Sequence, residues 1–150
     1  MSASVSYSYD REVAIVRAQD HYSPAELVET VSAALDDPER PLVRGLLLDL
    51  RDSRSFHGRT VGEVVDVHRF IERRRDHFGG RVGLVPPHRA PSRLLNLVSE
   101  LAAGSGIDAY VFRDAREARE WLRRGARNAV RAEARPVHST EECAPTSPPV

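Results

Sequence analysis

Between residues 49 and 60 the chain reads Asp-Leu-Arg-Asp-Ser-Arg-Ser-Phe-His-Gly-Arg-Thr. Asp49, Asp52, Ser53, Ser55 and His57 are the residue types of a hydrolytic triad: a hydroxyl nucleophile, an imidazole base and a carboxylate to orient it. A triad needs side chains that converge, usually from separate loops, and the G-x-S-x-G turn of the α/β-hydrolases is absent. Thr60-Val61-Gly62-Glu63 has the form of a capping box instead. The Thr hydroxyl takes an amide of the first helical turn, and the Glu side chain returns to the Thr amide. The polar stretch therefore reads as a loop that finishes a strand and opens a helix. A small serine hydrolase using Ser53 or Ser55 with His57 or His88 is kept as the lesser alternative.

The same stretch is a plausible seat for negative charge. It lies beyond the carboxyl end of a strand and before a helix N-terminus, where free amides and the helix dipole favour an anion. Gly58 permits close backbone approach, and Arg51, Arg54 and Arg59 add positive charge. The phosphate-cradling patterns G-x-x-x-x-G-K-S and G-x-G-x-x-G are both missing. His21, His57, His68, His77, His88 and His138 show no H-E-x-x-H spacing, so no metal site is expected. No cofactor is expected either. Arg73-Arg74-Arg75, with Arg69 and Arg81 nearby, gathers cations at the end of a helix, where they complement its dipole. The alternative reading of that cluster is docking of an acidic protein or nucleic-acid surface.

Behind these residues stands an ordinary globular chain. With 150 residues, 41% hydrophobic and 29% charged, it has the size and composition of one domain. The net charge is zero and no aromatic platform is interleaved with the basic runs, so nucleic acid is not an expected partner. No apolar run approaches the roughly 18 residues of a membrane span. The N-terminal MSASVSYSYDRE lacks the pattern of a secretory signal, and a cytoplasmic location is the expectation. Cys143 is the single cysteine, which excludes an internal disulfide. All 22 basic residues are arginine; coding bias explains that more simply than selection for bidentate anion contacts.

The elements that would position the polar stretch follow from periodicity. Residues 4–9 and 13–18 alternate around Asp10-Arg11-Glu12 and read as an antiparallel hairpin. Ser23-Pro24-Ala25-Glu26 is a capping box with proline at the first helical position, and Leu27, Val28, Val31, Ala34 and Leu35 share one face of the helix that follows. Residues 43–50, with Leu46, Leu47, Leu48 and Leu50, are apolar on both faces, as a central parallel strand requires. A helix is expected over about 60–77, with Val61, Val64, Val65, His68 and Ile71 on its stripe. A strand over 81–85, a leucine-rich helix from Pro91 to the Gly104–Gly106 break and a strand over 107–112 come next. Asp114-Ala115-Arg116-Glu117 is read as a third capping box, opening a helix with Trp121 as a core anchor. Residues 126–135 extend that helix, and 136–150, rich in Pro, Ser and Thr, are expected to be disordered. The order β-β-α-β-α-β-α-β-α predicts an α/β fold: a mixed, mainly parallel sheet of about five strands with four helices. The domain is expected over 1–124, with 125–150 as a helical extension and tail.

"SPAELVETVSAALDDP", "LLLDLRD", "RVGLVPP" and "IDAYVFRDAREAREWL", in this order, resemble STAS-like proteins of the sporulation anti-sigma-factor-antagonist type (sulfate transporter and anti-sigma-factor antagonist). The resemblance covers roughly residues 5–123. It implies an α/β sandwich with helices mostly on one side of the sheet, no chemistry of its own, and binding of a protein partner, in some members of small ligands. Antagonists of this type carry a phosphorylatable residue in an Asp-Ser-Ser-Gly-like motif at the start of the second helix. Counting from Asp49, those positions fall on His57, Gly58, Arg59 and Thr60, without the Asp-Ser pair, so phosphoswitching is not carried over.

The expected function is that of a non-enzymatic interaction module. Its candidate binding residues are Arg51, Asp52, Ser55, His57, Gly58, Arg59, Thr60 and Arg73, on the loop 51–60 and the helix after it. The principal alternative is a small anionic or amphipathic ligand seated between residues 51–60 and 86–92. A homodimer through the edge of the opening hairpin is a further possibility.

Overall fold

The computed structural model describes residues 4–132, with side chains through Arg124. Strands β1 (Val5–Asp10) and β2 (Val13–Asp20) form the opening hairpin, with Val5 opposite Ala18 and Asp10 opposite Val13. Arg11, in its turn, takes a left-handed φ of 59°. Helix α1 (Pro24–Asp36), β3 (Gly45–Ser53), α2 (Val61–Arg73), β4 (Arg81–Val85), α3 (Ser92–Ser105), β5 (Asp108–Val111) and α4 (Ala115–Ala132) follow in order. The strands form one five-stranded sheet in the order β1-β2-β3-β4-β5, antiparallel between β1 and β2 and parallel thereafter. The fold is therefore the mixed, mainly parallel α/β sheet with four helices that the element order implies.

The run of leucines explains how the layers close. Leu46, Leu48 and Leu50 point to the face covered by α1, α2 and α3, where they join Val16, Val31 and Leu35. Leu47 points to the opposite face and meets Val13, Val85, Ala118 and Leu122 beneath α4. A strand covered on both faces cannot alternate apolar with polar, and every residue from Gly45 to Leu50 is buried.

Two helices start as their sequences dictate. Ser23 Oγ accepts from the Glu26 amide at 3.1 Å while Glu26 Oε1 accepts from the Ser23 amide at 2.8 Å. Thr60 Oγ1 and Glu63 make the same reciprocal pair at 3.1 and 2.9 Å. Helix α4 begins differently: Asp114 accepts from the Arg116 amide at 2.9 Å, a local turn in place of a capping box.

Several boundaries differ from the sequence pattern. Strand β3 continues past Leu50 to Ser53, because β2 also runs on and, past a register shift, pairs Gln19 with Asp52 and Asp20 with Ser53. Arg51 and Asp52 are thus strand residues, and the connection to α2 is short, with a 3-10 turn at Phe56–Gly58. Helix α2 stops at Arg73, before a second 3-10 turn at Arg75–His77. Val61, expected on the inner stripe, is 57% exposed. Trp121 is half-buried, not a core anchor, and the Arg81 guanidinium lies 4.0 Å from its ring centroid. Cys143, His138 and the expected tail over 136–150 lie outside the described residues. Among the described residues no helix is long and apolar enough to cross a membrane.

The helices do not seat equally on their shared face. Helix α1 buries Leu27, Val31, Ala34 and Leu35, whereas α2 buries only Ile71, and α3 only Leu94 and Ala102.

Candidate functional site

The loose seating of α2 and α3 leaves a cavity of about 100 Å³ between them and the sheet. Its floor is Leu48 and Leu50 of β3, Val82 and Leu84 of β4 and Ala109 of β5; its roof includes Val64, Val67 and Ile71 of α2 with Val98 and Ala102 of α3. The cause is side-chain size. Val64, Val67 and Val98 are β-branched and short, and Ala102 shorter still, so the helices carrying them do not fill the space that leucines would, and Ala109 leaves the strand floor low beneath them. An apolar cavity of about 150 Å³ is enough to take up benzene.

Polar groups gather at one end, where Tyr22, Phe56, Arg59 and Glu63 line the cavity. The Arg59 guanidinium lies over the Tyr22 ring, donates to the Tyr22 carbonyl oxygen, and sits 3.6 Å from Glu63 Oε2. It is held tightly: the Arg59 side chain is 13% exposed against 37% for Glu63. Burial pushes the Tyr22 phenol above its usual value, with the Arg59 charge opposing, so it remains a neutral hydroxyl. Further along the roof is His68. Burial pushes its imidazole below the ordinary 6.5, and the Glu72 carboxylate, 3.9 Å away, opposes this. The imidazole is therefore neutral at neutral pH.

The eight candidate residues from the sequence fall in three places. Arg51 is on the α4 side of the sheet, where its Nε and terminal nitrogen bind both oxygens of buried Asp49 at 3.0 and 2.9 Å. That bond holds the guanidinium in its charged form, above its usual value. Asp52 pairs with Arg17 at 3.0 Å. Ser55, His57, Gly58, Arg59 and Thr60 lie on the connection from β3 to α2, near the polar end of the cavity. Of the eight, only Arg59 lines it. Arg73 is exposed at the far end of α2.

The hydroxyls and imidazoles of the connection serve mainly to fasten it. Ser53 Oγ accepts from the Ser55 amide at 3.2 Å, and Ser55 Oγ accepts from the Tyr22 amide at 3.0 Å. His57 Nε2 donates to the Arg89 carbonyl oxygen at 3.2 Å, joining the connection to the segment before α3. The imidazole near Ser55 is His21, with Nδ1 3.4 Å from Oγ, at an exposed position. Neither His57 nor His88 is the partner of Ser55 or Ser53 among the described hydrogen bonds. Among the described residues no group of three His, Cys, Asp or Glu could hold a metal ion.

Sequence reasoning missed Tyr22, Phe56, Glu63 and His68 as lining residues. The available signals were a phenylalanine inside an otherwise polar connection and a helix stripe made of valine and histidine.

No family model matches the chain, and no curated protein matches it in sequence. Among solved structures, that of HypX from Aquifex aeolicus in complex with tetrahydrofolic acid is similar over 89% of this chain, with a TM-score of 0.44 and 11% identity. The chain spans 36% of that chain.

Proposed function

We propose that this protein is a non-enzymatic binding module for a small amphipathic molecule, held with its apolar part beneath α2 and its polar part beside Arg59 and Glu63. The observation that carries this is the cavity of about 100 Å³, apolar along its length with an Arg–Glu pair at one end. Binding sites for small molecules have this composition: mostly hydrophobic walls with few polar groups that set orientation. An apolar group of roughly four or five carbons fits, given that about 150 Å³ holds benzene.

Docking of a protein partner, the role implied by the STAS-like resemblance, is the second reading. Its support is the outward face of α2, where Val61, Asp66, Arg69 and Arg73 are exposed. Because α2 is also the cavity roof, one helix would report ligand occupancy to such a partner.

A thermal-shift screen of amphipathic compounds tests the proposal. A compound at ten times its Kd stabilises the fold by about 1.4 kcal/mol, which moves Tm by a few degrees in a domain of this size. The shift is expected to vanish in Ala102→Leu, which fills the cavity. If no compound class shifts Tm, and a protein captured specifically is lost on Arg73→Glu, the partner reading replaces this one. Turnover of activated esters that disappears in both Ser55→Ala and His21→Ala would overturn both in favour of a hydrolase.

A further inference from the structure

Resting on that proposal, we infer that the ligand is an unbranched aliphatic monocarboxylate whose carboxylate is received by Arg59. Three features of the cavity specify this chemistry.

The first is the state of Arg59. Its guanidinium is clamped by the Tyr22 ring, with the centroid 4.6 Å away, and by the bond to the Tyr22 carbonyl oxygen. A guanidinium already fixed in place loses little side-chain entropy when it takes an acceptor, and its planar fork matches a carboxylate. Glu63 does not saturate it. At 3.6 Å the Glu63 oxygen is an electrostatic neighbour, too far for a hydrogen bond, and the other oxygen is committed to the Thr60 amide at 2.9 Å. The Tyr22 hydroxyl also engages the guanidinium, and Nη1, which makes no hydrogen bond to Glu63 at 3.6 Å, is the donor offered to an incoming anion.

The second is size. At about 100 Å³, below the roughly 150 Å³ that takes up benzene, the space admits a short aliphatic chain better than a ring system.

The third is the single charge-bearing end. His68, within the roof, is the one other ionisable group in the lining, and its burial favours the neutral form. There is no second cation for a second carboxylate, so a dicarboxylate would bury one charge unpaired, at a cost of several kcal/mol.

The test compares pentanoate, pentanol and pentylamine on the full chain by calorimetry. Pentanoate is expected to bind roughly tenfold tighter than pentanol, the scale of one charge-assisted hydrogen bond, with pentylamine weakest. In Arg59→Gln the preference for pentanoate over pentanol disappears while pentanol still binds. Glu63→Gln keeps an acceptor for the Thr60 amide and removes the competing charge, so pentanoate tightens; this variant decides the matter if Arg59→Gln fails to fold. Pentanol binding as tightly as pentanoate, or no tightening in Glu63→Gln, overturns the carboxylate inference and leaves the apolar cavity site intact. No binding by any of the three overturns both.

Discussion

The guanidinium of Arg59 rests on the ring of Tyr22, with Cζ 4.6 Å from the ring centroid, and so ties the start of α2 to the junction of β2 and α1. Both groups are largely withdrawn from water, Tyr22 at 6% exposure and the Arg59 side chain at 13%. A desolvated cation–π contact of this kind contributes about 1–2 kcal/mol. Arg59→Leu and Tyr22→Leu should each lower the urea midpoint, and a double-mutant cycle should give a coupling of about 1 kcal/mol. Additive effects would show that the stacking contributes nothing.

Ala102 is 5% exposed and lines the cavity, so its side chain can grow into empty space. Ala102→Leu is expected to raise stability by about 1 kcal/mol, the usual gain from filling a void. Leu94, on the same helix, is fully buried and outside the cavity lining. Leu94→Ala should cost about 2–5 kcal/mol, as for other large-to-small changes in a packed core. Chemical denaturation of the two variants, with opposite signs, checks the position of the void.

His68 gives the fold a pH dependence. Burial holds its imidazole below the ordinary 6.5, against the opposing Glu72 carboxylate, and Arg59 and Glu63 are the other charged groups along the lining. The unfolded chain therefore binds a proton more readily than the folded one. The contribution is fully present above pH 6.5 and is lost as pH falls through the lower folded value. Stability should decline on acidification from neutral pH, and His68→Gln should flatten that part of the profile. An unchanged slope in His68→Gln assigns the acid sensitivity elsewhere.

Gly79 and Gly80 share a left-handed φ of 72°, yet only one is crowded. A Cβ on Gly79 would stand 3.0 Å from the Arg44 carbonyl oxygen, whereas on Gly80 the nearest atom is 4.0 Å away. Left-handed backbone costs an alanine about 1–2 kcal/mol at either position. Gly79→Ala should lose measurably more than Gly80→Ala, because the backbone at Arg44 must also shift. Equal losses by denaturant titration would mean that the segment before β3 yields freely.

Much of the fold was legible because it depends on near neighbours in the chain. The alternation of Val5, Tyr7 and Tyr9 marks an edge strand, the reciprocal pairs at Ser23–Glu26 and Thr60–Glu63 mark helix starts, and the leucines at 46–48 mark a strand covered on both sides. The end of β3 was not legible, since Asp52 and Ser53 are drawn into the sheet by pairing with Gln19 and Asp20 of β2, and Asp52 by its ion pair with Arg17, all long-range contacts. The Asp114 segment misled for a different reason: its spacing fits a capping box, but the Asp side chain closes a shorter turn on Arg116.

Of the candidate site, the sequence by itself determined that a polar connection rich in Arg, Ser and His leads from a buried strand into a capped helix, and that Arg59 lies on it. Only the tertiary structure decided that Arg51 and Asp52 belong to the sheet, that Ser55 and His57 fasten the connection to Tyr22 and Arg89, and that Arg59 closes one end of an apolar cavity. The cavity is a volume left over where α2 and α3 meet the sheet. A void of that kind is set by the combined sizes of side chains distant in sequence, such as Val67, Ala102 and Ala109, and no spacing within one segment records it.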